Sequence, residues 1–394
     1  MIFCEALPSL PIHNRCAGGR CHACEGMSAQ RIIALLGRRD EPTDALADYC
    51  RYLGEALAPM GHALEIAWVP WAKRGWPAAL DELRKSASGW RGCWALVQYT
   101  ALGWSRRGFP LQVLRLLRVL AQSGVRIGIV FHDSGPYSGL RPVDRLRRRC
   151  QVLVMRCAYA AAERVILTVP AEKNLWLPPQ PSKAVFIPVG ANLPLASAFC
   201  ETDAASTTAP FTVAVYGVTG GSHLSTETQD IAFVVNRAAA RVPGLRLLVF
   251  GRNALEAKDS LLQSLNGTRV ALEVRGVLPP EEVATSLSRA NLLLFVRGQI
   301  SSRRTSAIAG IACGLPVVGY AGTDTSWPVT EAGVSLVPAG DREALAAALE
   351  QVLLNSSLRA SLAERSRRAH REYFSWPVIA QRYTDALCHP GNAR

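Results

Sequence analysis

Arg303, Arg304, Thr305 and Ser306 stand together in QISSRRTSAIAG (299–310), at what the pattern predicts is a helix start. A helix start leaves backbone N–H groups free and presents the positive end of the helix dipole, which favours an anion. Arginine adds bidentate contacts to phosphate. The segment reads as a phosphate clamp, or as a solvated pair with Thr305 or Ser306 as an ordinary cap. A glycine-rich turn, YGVTGGSH (216–223), follows a strand. Gly217, Gly220 and Gly221 would let backbone approach a phosphate with His223 beside them, or would only make a tight turn. Arg252 follows another strand-ending glycine and is a further cation for the same anion. Should the arginine pair not hold it, the charge must come from Arg252, Arg297 or the N-terminal half.

His132 and Asp133 end a strand in RIGIVFHD (126–133). A histidine there can hydrogen-bond a hydroxyl or stabilise developing charge, and Asp133 could take a proton from an acceptor hydroxyl. The alternatives are a loop histidine satisfied by backbone and an aspartate that caps the next turn. Tyr99, Trp104 and Arg106, in QYTALGWSRRGF (98–109), combine rings with charge after a strand end. Rings can stack on a polyol ligand or serve as ordinary core.

These residues need a scaffold, and the periodicity supplies one. From Arg31 onward, apolar runs of strand length alternate with helix-length segments: RIIALLG (31–37), ALEIAWV (63–69), WALVQYT (94–100), RIGIVFHD, RVILTVP (164–170) and AVFIPVG (184–190). Thr43 is placed to cap the first helix. Helices are expected near 77–87, over 110–123 and over 141–162. Residues 199–210 are small and polar, a linker composition. The alternation restarts with FTVAVYG (211–217), LRLLVFG (245–251), VALEVRG (270–276), NLLLFV (291–296), PVVGY (316–320) and GVSLVP (333–338). Strands separated by helices imply parallel sheets with right-handed crossovers. Two such halves make two doubly wound α/β domains, at 27–198 and 211–375, with a last helix and tail over 376–394. Ligands bind at the carboxyl ends of such strands, so the site is expected between the domains.

The bulk composition narrows the partners. At 49% hydrophobic and 19% charged, the chain of 394 residues is globular, with length enough for two cores. No apolar run reaches the ~18 residues of a membrane-spanning helix. Residues 1–200 carry 25 Lys/Arg against 14 Asp/Glu, whereas the remaining residues carry 19 against 17. Within 101–164 the count is 12 against 3. That one-sided field implies an anionic partner. The basic segment DRLRRRCQVLVMRC (144–157) reads as a helix lying on an anionic membrane, or as a solvated face beside a core stripe. No nucleic-acid-binding motif accompanies the charge, so nucleic acid is not an expected partner. Eleven scattered cysteines suit a reducing, cytoplasmic compartment. Cys4, Cys16, Cys21 and Cys24, with His13 and His22, lack a second well-spaced pair, so no metal site is expected. Residues 1–26 read as a disordered or over-extended tail, since Met27 leads at once into the first strand.

ACGLPVVGY (312–320), AGVSLVPAGDREALAAAL (332–349) and FSW (374–376) resemble, in order, the C-terminal domain of the family-four retaining glycosyltransferases. GHALEI (61–66), VFHD (130–133) and FIPVGAN (186–192) are similar to landmarks of its N-terminal half. The resemblance covers about residues 31–388. It implies a GT-B fold, in which two Rossmann-like domains face each other across a cleft, with the acceptor side N-terminal and the donor side C-terminal. It also implies a nucleoside-diphosphate sugar as donor substrate, a histidine at position 132 against the donor sugar, and no resident cofactor. Two departures stand out. Ser301 and Ala309 occupy the places of the family's two glutamates, and Val218 and His223 those of its arginine and lysine. The expected activity is sugar transfer to a glycan or lipid-linked acceptor in bacterial polysaccharide or glycoconjugate synthesis. The protein would lie in the cytoplasm or on the inner face of the membrane. The departures motivate an alternative: an inactive GT-B scaffold that supports another transferase.

Overall fold

The structure is a computed structural model that describes residues 30–41, 43–194 and 210–388. The N-terminal cysteine cluster and the linker up to residue 209 lie outside the described residues. Six strands form a first sheet: β1 (Arg31–Leu36), β2 (Ala63–Trp68), β3 (Trp94–Tyr99), β4 (Arg126–Phe131), β5 (Arg164–Leu167) and β6 (Ala184–Phe186). Their order is β2-β1-β3-β4-β5-β6. The second sheet holds β7 (Thr212–Tyr216), β8 (Arg246–Phe250), β9 (Ala271–Val274), β10 (Leu292–Gln299), β11 (Val317–Tyr320) and β12 (Val334–Val337). Its order is β12-β11-β10-β7-β8-β9. Every pairing is parallel. This is the two-domain GT-B-like architecture, each half Rossmann-like.

The central strands are buried by helices on both faces, which is why they read as apolar runs rather than alternating ones. β3 is buried along its whole length. In the first domain the helices are α1 (Ala45–Leu57), α2 (Trp71–Arg74), α3 (Trp76–Ala87), α4 (Gln112–Gln122) and α5 (Pro142–Ala161). In the second they are α6 (Leu224–Ala239), α7 (Ala254–Leu265), α8 (Pro280–Ser288), α9 (Thr305–Ala312), α10 (Arg342–Leu354) and α11 (Ser356–Ala369). Asp44, not Thr43, caps α1: its carboxylate accepts from the N–H groups of Leu46 and Ala47. Two strand ends differ from expectation. β4 stops at Phe131, which leaves His132 and Asp133 in the following loop. β10 runs past Val296 to Gln299, with a register shift after Phe295.

A last helix, α12 (Trp376–Cys388), returns to the first domain and packs on α1. Tyr383 and Tyr49 share a hydroxyl hydrogen bond of 2.8 Å, both side chains fully buried. Arg164 Nε donates to the carbonyl of Ala386 at 2.9 Å, and Trp376 stacks on Tyr52.

Candidate active site

In each sheet the chain reverses its winding at one point, and the crevice beyond those strand ends is where open α/β sheets bind ligands. In the second sheet the reversal lies between β7 and β10. Gly217, directly after β7, has φ +75°, and Arg297 Nη1 lies 3.2 Å from where a Cβ on it would stand. The glycine therefore makes room for the guanidinium. Arg297 is largely enclosed, and its Nε has no hydrogen-bond partner. Burial lowers its pKa, Glu227 opposes that, and Arg252 adds to it. Arg304, the residue before α9, also has an unpartnered Nε. Burial, then the charges of Arg303 and Arg297, push its pKa down to about 10. No side chain caps α9.

Beside these groups opens a cavity of about 500 Å³ between the domains. Its floor is Gly217, Arg297, Thr305 and Ser306, and Ala309 lies on the same side. One end is an apolar slot of Val277, Leu278, Pro280 and Val283. The opposite wall belongs to the first domain: Asp40, Asp44 and Asp48, with Asn192 from the segment after β6. Asp48 is half-buried, and desolvation raises its pKa.

The remaining predicted residues divide sharply. Arg303 does not face the cavity floor. It donates to Asp324 Oδ2 through Nη2 and Nε at 3.0 and 3.2 Å, and the same oxygen accepts from Ser134 Oγ at 2.6 Å. Its charge is committed to an ion pair within the second domain, which Ser134 of the first domain joins, so Arg303 is turned away from the expected clamp and the arginine that lines the cavity beside the start of α9 is Arg297. Arg252 lines the cavity but reaches across it, donating to Asp40 at 2.7 Å, to Thr43 Oγ1 at 3.0 Å and to the Thr43 carbonyl. The glycine-rich turn is closed on itself. The N–H groups of Gly217, Val218 and Thr219 donate to Phe250 O, Arg252 O and the Glu227 carboxylate. Those amides are not available to a phosphate. Gly220, Gly221 and the exposed His223 lie away from the cavity lining.

His132 and Asp133 sit at the carboxyl end of β4 but also outside that lining. His132 Nε2 meets Gln98 Oε1 at 2.8 Å, with the ring edge-on to Tyr49. Burial and then Arg303 hold its pKa down to about 3. Asp133 accepts from the Ala101 N–H at 2.7 Å, and burial raises its pKa against the pull of Arg303 and Arg304. Tyr99 and Trp104 are corrected outright as acceptor contacts. Both are fully buried in the first domain's core, with Trp104 Nε1 donating to the carbonyl of Gln98. Arg106 is exposed and bonds the carbonyl of Ala72.

Two residues of this site carried little sequence signal. Arg297 entered the sequence reading only as a fallback cation, and its one signal is a charge that follows the apolar run of β10. Asp324, inside GTDTS (322–326), has no signal that a spacing argument could use. Among the described residues, no three His, Cys, Asp or Glu side chains gather as a metal-ligand set.

Residues 229–385 match the glycosyl transferase-like family. The match covers most of the C-terminal domain and shows what that domain is similar to. The match opens within α6 and takes in both Arg297 and Arg304, but not the glycine-rich turn. Over the whole chain the similarity is one of GT-B fold. A sucrose-phosphate synthase from Thermosynechococcus elongatus is 22% identical, with a TM-score of 0.67, covering 91% of this chain and 98% of its own. A glycosyltransferase from Rickettsia africae is 12% identical, with a TM-score of 0.60, covering 92% and 100%. The S. aureus MnaA–UDP co-structure is 11% identical, with a TM-score of 0.57, covering 93% and 98%. No curated protein sequence matches the chain.

Proposed function

We propose that the cleft binds a nucleoside-diphosphate sugar and transfers its sugar to a hydroxyl of a glycan or lipid-linked acceptor in bacterial polysaccharide or glycoconjugate synthesis. The observation that carries this reading is the Arg297 guanidinium near the end of β10, its Nε unpartnered, which lies with the start of α9 on the floor of a cavity with an apolar far end. A cavity of about 500 Å³ is of the size that small-molecule ligands occupy. The slot of Val277, Leu278, Pro280 and Val283 suits the flat, weakly polar face of a base, and the cationic floor suits a diphosphate. The UDP of the MnaA co-structure, a protein of the same fold, supports the same ligand class.

In the transfer, the bond from the anomeric carbon to the diphosphate oxygen breaks, a bond to the acceptor oxygen forms, and the acceptor hydroxyl gives up its proton to the departing diphosphate. Negative charge grows on the departing diphosphate. Arg297 and the start of α9 already face the cavity, and Arg304 adds positive charge nearby, so little rearrangement is needed to stabilise it. Arg252 and Asp40 close the cavity from opposite domains. Site and reaction belong to the cytoplasmic side, where nucleotide donors are made. Calorimetric titration with a panel of nucleoside diphosphates and their sugars tests the reading. Saturable binding of one nucleotide is expected. Silence across the panel overturns it and leaves an inactive scaffold.

A further inference from the structure

We propose that the outward face of α5 docks on an anionic lipid bilayer and brings the interdomain cleft to the membrane surface. This deepens the proposed transfer by naming an acceptor held in a membrane. α5 turns Asp144, Gln151, Val154, Met155 and Ala158 inward. At helical spacing, Arg145, Leu146, Arg149 and Leu153 share the opposite face, and all four are exposed. Leu146 is 61% and Leu153 54% exposed, where a solvated face would carry polar side chains. The apolar strip continues off the helix start through Val143 and Leu140, the latter 92% exposed.

Charge selects the partner. Among the described residues the one ion pair on α5 is Arg147 with Asp144, at 2.6 Å. Arg147 also bonds the carbonyl of Arg107, so it is a structural residue. Arg145, Arg148 and Arg149 are left to the exterior, within the stretch 101–164 where 12 basic residues face 3 acidic ones. Leucines flanked by unpaired arginines fit the boundary between acyl chains and anionic headgroups. A second copy of this chain would bring the same positive field against itself.

The position gives the surface its use. α5 begins at the carboxyl end of β4, the end that faces the cleft. Ser134, on that connection, is hydrogen-bonded to Asp324 of the second domain. Leu140 is six positions along the chain from Ser134, so the apolar strip begins at most about 20 Å from the interdomain contact.

Co-sedimentation of the full chain with vesicles tests this. Vesicles of phosphatidylcholine alone should leave the protein in solution, and vesicles containing phosphatidylglycerol should carry it down. Replacing Arg145, Arg148 or Arg149 with glutamine should weaken partition about fivefold for each charge removed. The Leu146→Ser, Leu153→Ser variant should lose the fraction that stays bound in about 1 M salt, where charge is screened beyond ~3 Å. Equal binding to both vesicles, or binding to neither, overturns the proposal. So does a dimer in light scattering that the leucine variant dissolves while vesicle binding is unchanged. Calorimetry with nucleotide on the same variants should be unaltered. Loss of nucleotide binding in the parent chain would sink the donor reading and leave the vesicle result standing.

Discussion

Arg297→Gln is the sharpest perturbation the structure offers. The substitution keeps most of the side-chain volume and removes the charge. In the ligand-free protein that charge is a burden: it is largely enclosed, its Nε is unpartnered, and Arg252 and Arg304 lie nearby. The neighbouring Arg304 shows the scale. A pKa held near 10 instead of 12.5 corresponds to about 3 kcal/mol against the charged form. Removing one of the two cations should relieve part of that, so the ligand-free variant should unfold no earlier than the parent and up to about 2 °C later per kcal/mol relieved. Binding should move the other way. A hydrogen bond to a charged group contributes about 1.5–3 kcal/mol. Nucleoside-diphosphate affinity should therefore fall by about tenfold to a hundredfold. Thermal unfolding with and without nucleotide, together with calorimetry, reads both effects. Unchanged affinity in the variant would refute the assignment of Arg297 to the diphosphate. Lower stability with lower affinity would show that the guanidinium supports the fold rather than the ligand.

Arg303→Ala should behave in the opposite sense. It leaves the mostly buried Asp324 carboxylate with only Ser134, so stability should fall by about 3 kcal/mol. Nucleotide affinity should change less than in Arg297→Gln, and calorimetry showing a greater loss would restore Arg303 to the clamp. His132 should stay neutral from pH 5 to 8, because its pKa is held to about 3. Below the unfolded value near 6.5 the unfolded chain takes a proton that the folded one refuses, so stability drains as pH falls. The contribution is about 2 kcal/mol by pH 5. Denaturant unfolding of parent and His132→Gln at pH 5 and 7 should show the parent's extra loss at pH 5. A His132 imidazole resonance, assigned by its loss in His132→Gln, that titrates near pH 6.5 would contradict the burial argument.

What the sequence showed depended on how local each cause was. RIIALLG and NLLLFV announced buried parallel strands because both sheet faces are covered, and a continuous apolar run is the local trace of that burial. The two-domain alternation followed from it, and so did the expectation of a cleft at the strand ends beside the start of α9. Which arginine lines the cavity did not follow. Arg303 and Arg304 are neighbours in sequence, yet Arg303 turns to Asp324, a partner met only when the loop after β11 folds back. Tyr99 and Trp104 looked like ligand platforms for a related reason. Their types are equally suited to a core, and burial is decided by α3 and its neighbours elsewhere in the chain. The glycine-rich turn misled because Glu227 and the end of β8 occupy its amides, and neither shows in the spacing of the glycines.

The return of α12 to the first domain means that the chain crosses between the domains twice, once between residues 194 and 210 and once near Ser375. A body joined to another at a single point can swing freely. A body joined at two points turns about the line through them, like a door on a pair of hinges. Two crossings restrict how the cleft can open, and Arg252–Asp40 and Ser134–Asp324 tie the domains to each other across it. Covalent cutting has a consequence too. Separating the domains at the linker would leave the first without the helix that covers Tyr49, so two independently made halves would fit together only by trading α12 across the cut.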